Sequence, residues 1–476
     1  MFRDAAGRVR SPWALVAVLG FAGTSVSFMQ TLVVPIQNHL PVLVDASRSS
    51  TAWVLTVALL AAAVTTPISG RLGDIIGKRK VALALMGLLL AGSLIAALSQ
   101  GLGWLLVGRA LQGASMGIIA VGISILGDQP DPRQRVTGIA FISASLGFGG
   151  AIGLPLSAWI VQVGDWKLLF WSSAVLGVLN FALIWLVVPR SRDSRQRLDI
   201  PGAIGLAVGL SGILIPISQG PVWGWTSPLT LGTSFGGAAV LALWGLYQLR
   251  IDEPMVDLRL LSRRPLLLVN LGTVALGFSF FISEVAFLQI LELPTGTQAG
   301  LGLSMITASL ALVPSALAMM AAAPLAARLT TRYGGRVATC VGALTSAAAY
   351  AFTIIWHDQV WHLILSSSVL LAGVAIGYAA IPTLVMAEVP LDATGSANGV
   401  NALMRSIGTS SGATVTGMVL AASSIEVGGT EIPQAGGFVT VFVLGLVSAA
   451  ASAGLIWLSK PSRRRWDAGR RGVDGG

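Results

Sequence analysis

Apolar residues run along this chain in unbroken stretches of roughly 20, the length an α-helix needs to cross a hydrocarbon core of about 30 Å. Such runs start near Trp13, Thr51, Val81, Leu102, Val136, Leu168, Ile200, Pro228, Leu266, Leu301, Arg336, Trp361, Ser396 and Gly436. They predict fourteen transmembrane helices. The stretches are continuously apolar and do not alternate over about ten residues, which favours helices over the strands of a barrel. The expected fold class is an all-α membrane protein.

Short polar turns separate the runs, and their basic residues set the orientation, because Lys and Arg next to membrane spans stay on the cytoplasmic side. With the N-terminus inside, the 30 Lys and Arg fall in the tails and inner loops except for four. Arg48 and Lys167 lie outside, and Arg109 and Arg405 lie within spans. Both termini are then expected in the cytoplasm, with Arg190, Arg192, Arg195 and Arg197 in one inner loop and Arg463, Arg464 and Arg465 in the tail. The N-terminal MFRDAAGRVR and the apolar run after it resemble a signal peptide. That run is longer than such a region needs and lacks a clear cleavage site, so it reads as an uncleaved first helix.

Composition agrees with this pattern: 54% of residues are apolar and 11% charged, with a mean hydropathy of +0.80. A water-soluble domain could not hide that much apolar surface. The net charge of +10 does not call for nucleic acid, because the basic residues are spread over every inner loop and not gathered on one face. The single cysteine, Cys340, lies in an apolar run and reads as a packing residue. His39, His357 and His362 fall in outer loops or at their borders with no pairing acid or thiol cluster, which argues against a metal site. The sequence around Gly77 and Lys78 is not a phosphate loop, since Leu72 takes the first glycine position and Arg79 the Ser/Thr position. No repeated pore loop or charged ring marks a selective channel. An enzyme is not indicated, and no cofactor or metal is expected.

The chain also repeats itself. GRLGDIIGKR at Gly70 aligns with ARLTTRYGGR at Ala327, matching Arg71 with Arg328, Leu72 with Leu329, Gly77 with Gly334 and Arg79 with Arg336. Each turn joins the second and third helix of a six-helix block. Two pseudo-repeat halves are therefore expected, at 1–190 and 251–476, with an inserted transmembrane hairpin at 191–250 between them. That hairpin has no charge inside the membrane and is closed by PVWGWTSP, whose Trp223 and Trp225 suit an interfacial aromatic belt. It reads as a peripheral element.

At this point the residues resemble the major facilitator superfamily, and within it the fourteen-helix drug:proton antiporters. The resemblance covers nearly the whole chain. Its most specific element is the turn after the second helix, written G-x-L-x-D-x-x-G-R-[RK] in the family. Gly70, Leu72, Asp74, Gly77, Lys78 and Arg79 match it, with Lys78 standing for the first Arg. Glycines there allow a tight turn and close helix approach, while Asp74 and the basic cluster can form ion pairs that break and remake. In the family this turn is a cytoplasmic latch. The resemblance implies that Asp74 meets the start of the thirteenth helix near Ser396, where the positive end of the dipole favours a carboxylate. The second-half copy has Thr331 in place of that acid.

Other family elements are matched only in part. Arg109, Gln112 and Gly113 in the fourth helix resemble an R-x-x-Q-G element associated with proton coupling. An arginine that only caps backbone carbonyls is the other reading. In the fifth helix Gly149, Gly153 and Pro155 stand near the antiporter signature G-x-x-x-G-P-x-x-G-G, but the proline is displaced by one and Ser157 and Ala158 replace the last glycines. That departure bears on the direction of coupling. The first helix reads FMQT, so Met29 stands where relatives often carry an Asp.

What remains is Glu284, the only carboxylate well inside a span, roughly 7 Å to the outer side of the ninth helix's middle at 1.5 Å per residue. Arg109 lies at a similar depth, so the two could meet. The resemblance implies that the first, fourth, ninth and twelfth helices line a central cavity. A carboxylate in such a setting can exchange protons near neutral pH. Phe280, Phe281 and Phe287 neighbour Glu284 along the helix and suit a lipophilic cation; alternatively they face lipid and Glu284 reaches the outer interface. Asn398, Asn401, Arg405, Thr409 and Gly412 form a polar stripe on the thirteenth helix, which either lines the path or cements the halves. Gln30, Gln289 and Tyr378 are further candidates for cargo contact.

The sequence thus reads as a monomeric plasma-membrane transporter in contact with lipid, small-molecule cargo and protons, with the proton gradient as its energy source. Export of amphipathic, cationic drugs or metabolites by alternating access is the leading expectation. An anionic or zwitterionic metabolite bound by Arg109 and Arg405, or a sensor that binds without transport, are the alternatives.

Overall fold

The computed structural model describes residues 12–460 apart from 34–35, 38–39, 130, 191–197, 296–299, 391–392 and 428–429. The N-terminal stretch 1–11, His39, Arg192, Arg195, Arg197, Arg463, Arg464 and Arg465 lie outside the described residues. The chain begins with α1 (Pro12–Thr31), α2 (Trp53–Leu72), α3 (Lys78–Ala97), α4 (Leu102–Gly127), α5 (Pro132–Val163) and α6 (Leu168–Val187). A helical hairpin follows, α7 (Ile200–Trp223) and α8 (Pro228–Gln248). Then come α9 (Arg264–Glu292), α10 (313–333), α11 (335–355), α12 (Val360–Ala387), α13 (Thr394–Ala422) and α14 (Ala435–Leu458).

Eleven helical segments among the described residues are long and apolar enough to cross a membrane. Two of them, Trp53–Ala97 with 45 residues and Met305–Ile355 with 51, are more than twice the length one crossing takes. Each is broken at a glycine. Gly77 has φ 97° and Gly334 has φ 85°, left-handed values that a side chain resists. These are the two glycines aligned in the sequence, and two residues beyond each an arginine donates to a tryptophan carbonyl, Arg79 to Trp185 and Arg336 to Trp457. The Arg336 guanidinium also lies 4.5 Å from the Trp457 ring centre. α13 is long enough to cross but too polar to stand among the eleven, because the stripe from Asn398 to Thr409 dilutes it.

Local signals start the helices. Asp131 accepts from the N–H of Arg133 ahead of Pro132, Asp199 from Gly202 ahead of Pro201, and Ser227 from Thr230 ahead of Pro228. In each case an otherwise unpaired backbone donator of the first turn is satisfied, and a proline sits where no N–H is needed. Small residues then let helices touch: a Cβ at Gly92 would lie 2.6 Å from the Gly108 carbonyl oxygen, joining α3 to α4, and one at Gly373 would lie 2.5 Å from that of Gly342, joining α11 to α12.

Buried apolar side chains form two large clusters. One runs from Leu15 to Val188 and draws on α1 to α6; the other is built mostly from residues 260–456 and includes Phe287, Tyr350, Phe438 and Phe442. A smaller cluster joins Leu206 and Leu210 of α7 to Ala63 of α2 and to Val400 and Leu403 of α13.

Three expectations change. The span expected from near Leu301 starts at Met305 and is not one continuous helix, because a separate short helix, Met305–Ala311, comes before Pro314 opens a new first turn. The chain is not wholly helical: Ser424–Val427 and Thr430–Pro433 pair antiparallel, with Ile425 opposite Ile432. The alternation in SIEV and TEIP carries this ribbon, too short to register beside the apolar runs. His362 does have a neighbouring acid, since its Nδ1 approaches the Asp358 carboxylate at 2.9 Å, one helical turn away.

Candidate functional site

At the Gly77 end, the α2–α3 turn docks on α13. Asp74 accepts hydrogen bonds from the backbone N–H of Gly395 at 3.1 Å and of Ser396 at 2.8 Å. These are unpaired donors of the first turn of α13, where the helix dipole favours an anion. Glycines make the approach possible: a Cβ on Gly70 would run into the Gly395 carbonyl, and one on Gly399 would lie 2.8 Å from the Pro67 Cα. Lys78 reaches back to α4, pairing with Asp128 at 2.7 Å and donating to the Ser124 carbonyl at 3.2 Å. Ser124 in turn shares a 3.1 Å hydrogen bond with Thr394. Three elements are thus tied at one end of the molecule.

About one to three turns away from this seam lies a cavity of about 320 Å³. Its wall comes from α1, α2, α4, α5, α7, α9, α10, α12 and α13. Among the sequence candidates, Gln30, Phe280, Phe281, Glu284, Tyr378 and Arg405 line it. Glu284 is open to the cavity, and among the described residues it has no hydrogen-bond or ion-pair partner. The Arg405 guanidinium sits 5.2 Å from the Tyr378 ring centre, and Phe280 meets that ring edge-on at 6.0 Å. The Tyr378 hydroxyl and Gln30 Oε1 are buried and have no partner among the described residues. An acid, a base, aromatic faces and two idle polar atoms therefore share a single space, which can hold a molecule that is apolar in its body and charged or polar at its ends.

Other candidates lie elsewhere. Arg109 is buried and does not meet Glu284: it donates to the Met29 and Val54 carbonyls at 3.3 Å each and to Gln112 Oε1 at 3.0 Å. Gln112 passes the network on to Ser93 at 2.9 Å. Arg109 thus serves as a cross-tie among α1, α2 and α4, since carbonyls of neighbouring helices lie within its reach before any carboxylate does. Phe287, one turn beyond Glu284, turns away to stack on Phe442 at 5.6 Å. Gln289 is exposed and outside the cavity wall. Gly149 and Gly153 pack against α1, where a Cβ would collide with the Thr24 carbonyl or the Thr31 hydroxyl; Pro155 continues α5 beyond them.

The polar stripe on α13 divides. Asn398 donates to the Thr394 carbonyl at 2.8 Å, and Asn401 donates to Asn270 and Thr273 of α9 at 2.9 Å each, so this end cements helices. Arg405 and Thr409 line the cavity. Sequence reading missed Thr56, Thr66, Ser218, Ser406 and Thr414 in the wall. Hydroxyls in membrane helices satisfy themselves on the preceding turn, as Thr66 does on Ala62, so nothing in the sequence marks these from the many others.

Comparison with known proteins agrees with this architecture. A family model described as Major Facilitator Superfamily matches residues 16–413 and again 271–473. The uncharacterized MFS-type transporter YhcA of Bacillus subtilis is 26% identical over 84% of this chain and 76% of its own length. The putative multidrug resistance protein MdtD of Salmonella heidelberg is 28% identical over 86% of each, and the multidrug resistance protein Stp of Mycobacterium tuberculosis is 26% identical over 78% of this chain and 68% of its own. Among solved structures, the human organic anion transporter MFSD10 superposes with a TM-score of 0.62 at 15% identity, covering 95% of this chain and 99% of its own. The proton:xylose symporter XylE gives 0.60 at 13%, covering 92% and 94%. At these identities the structural matches speak to the fold.

Proposed function

The chain belongs to the major facilitator superfamily and is a multi-pass membrane transporter of small molecules, not an enzyme; from that premise we propose that it exports amphipathic cations in exchange for protons. The observation that carries this reading is Glu284, a carboxylate with no ion-pair partner among the described residues, facing a cavity walled by Phe280 and Phe281. A cation and a proton favour opposite charge states of that acid, so each displaces the other. Aromatic faces add attraction for a lipophilic cation where water is scarce. Relatives named as multidrug resistance proteins support the choice of cargo.

In this proposal the two bent segments cross twice each and α13 crosses once, so the chain spans the plasma membrane fourteen times with both termini in the cytoplasm. Six-helix halves at 1–190 and 251–476 rock about the cavity, the hairpin at 191–250 is an insertion, and the protein works as a monomer with the proton gradient as its energy source. The Asp74 seam is the cytoplasmic gate, drawn shut in the conformation described here. Gly77, Gly334, Arg79 and Arg336 are equivalent positions of the two halves. The test is uptake of the lipophilic cation tetraphenylphosphonium into proteoliposomes under an imposed pH gradient. Gradient-driven accumulation by the unaltered protein, abolished in Glu284→Gln, is the expected result; equal accumulation by both defeats the assignment to Glu284.

Arg405 favours a second reading, in which the cargo is anionic or zwitterionic. Its guanidinium lines the same cavity and has no carboxylate partner among the described residues. Retained transport after Glu284→Gln with loss after Arg405→Ala selects this alternative.

A further inference from the structure

The inserted hairpin is apolar and uncharged, which marks it as a lipid-facing appendage, and α8 fits that description: Phe235, Leu243 and Leu246 are more than half exposed. Its partner differs. Leu214, Ile217 and Ser218 of α7 line the cavity that holds Glu284 and Arg405, and Gln219 beside them is 1% exposed.

The seam where α7 enters explains its position. Near the closed end α2 and α13 touch directly, through Gly70 on Gly395 and Pro67 on Gly399. At Thr56, about 15 Å along α2 from Thr66 at 1.5 Å per residue, each of the two helices meets α7 instead. Thr56 Oγ1 shares a 2.7 Å hydrogen bond with Ser218 Oγ and accepts from Gln219 Nε2 at 3.3 Å. On the other side Thr414 Oγ1, which donates to the Ser410 carbonyl at 3.0 Å, approaches the Ile217 carbonyl at 3.5 Å. Trp53 and Trp223 close the same seam with rings 6.4 Å apart. The Gln219 amide, unlike a hydroxyl that can bond the preceding turn, would be unsatisfied in hydrocarbon, so its contact with Thr56 favours one face of α7 turned inward. α7 and α8 pack tightly on each other, because the Gly212 and Gly237 backbones touch and Asp199 at the base of α7 is bonded by Tyr247 and Gln248.

We propose that α7 is a cargo-contacting wall of the transport cavity and that Ser218 is a specificity-determining residue, its side-chain size limiting what the cavity admits between α2 and α13. This rests on the transport reading above for the word cargo, but not for the geometry.

The test uses the full-length protein with Cys340→Ser, a change that keeps a donor for the Ala453 carbonyl that the thiol now faces. Ser218→Cys, Thr409→Cys as a cavity reference and Leu243→Cys on the lipid face are each exposed to a charged, membrane-impermeant thiol reagent. Labelling of Ser218→Cys at a rate close to that of Thr409→Cys, with Leu243→Cys unreactive, is the expected result. An unreactive Ser218→Cys beside a reactive Thr409→Cys overturns the proposal whatever the flux. Ser218→Trp should raise KM for tetraphenylphosphonium about tenfold with kcat little changed, as expected when binding alone is lost, while Leu243→Trp leaves both unaltered. A Ser218→Trp protein indistinguishable from the unaltered one also overturns it. If the unaltered protein moves no cation under any gradient while Ser218→Cys and Thr409→Cys label alike, the transport reading falls and α7 stands as a cavity wall.

Discussion

Glu284 and Arg405 line one cavity without forming an ion pair with each other. Opposite charges within about 4 Å in a poorly solvated space attract strongly; in the proposed exchange, their separation leaves the acid open to a proton or cation and the base open to an anionic group. Affinity for a cation should therefore weaken as pH falls, by up to about tenfold per pH unit where proton and cation compete for one site. Tetraphenylphosphonium binding titrated at several pH values checks this, and in Glu284→Gln the dependence should flatten.

Asp74→Asn keeps one oxygen able to accept from Gly395 or Ser396 but removes the charge that both N–H groups and the α13 dipole favour. Charge-assisted hydrogen bonds contribute about 1.5–3 kcal/mol each, enough to move an equilibrium between two facing states by tenfold or more. The expected outcome is a folded protein whose Asp74 end opens more often, read as faster labelling of a cysteine placed near Ser396.

Gly70→Ala should be far worse tolerated than Gly87→Ala. A Cβ at Gly70 would collide with the Gly395 carbonyl, a backbone atom that cannot swing aside, whereas one at Gly87 meets nothing within 4 Å. Overpacking of this kind costs about 1–3 kcal/mol. Thermal unfolding in detergent and initial transport rates should both fall for Gly70→Ala and stay near the original for Gly87→Ala.

Arg109→Lys replaces a fork that spans α1, α2 and Gln112 by a single ammonium that cannot reach all of them. We expect destabilisation of about 1–3 kcal/mol, the cost of leaving buried polar groups imperfectly paired, seen as a lower Tm. If transport survives, it should remain driven by the pH gradient, because Arg109 does not contact Glu284.

The turn carrying Asp74 shows how far sequence reading reached. Its glycine and charge spacing matched a family pattern, and the pattern implied the contact near Ser396 that the structure has. The alignment of Gly77 with Gly334 likewise fell on two residues with the same left-handed backbone. Arg109 shows where that reading stopped. Both intramembrane arginines look alike along the chain, and nothing in helical spacing says that Arg109 is enclosed by carbonyls while Arg405 faces open space.

The sequence by itself determined what depends on each segment alone: apolar length sets which segments can lie in hydrocarbon, a glycine permits a backbone bend, and a 3.6-residue period sets which side chains share a helix face. Only the tertiary structure decided what each face meets. Phe280 and Phe281 face the cavity while Phe287 packs on Phe442, Asn401 ties α13 to α9 while Arg405 lines the cavity, and α7 walls the cavity while α8 faces outward. The rotation of a helix about its axis is set by packing against neighbours distant in the chain, and in lipid, where apolar faces are equally at home outside and inside, hydrophobicity does not reveal it.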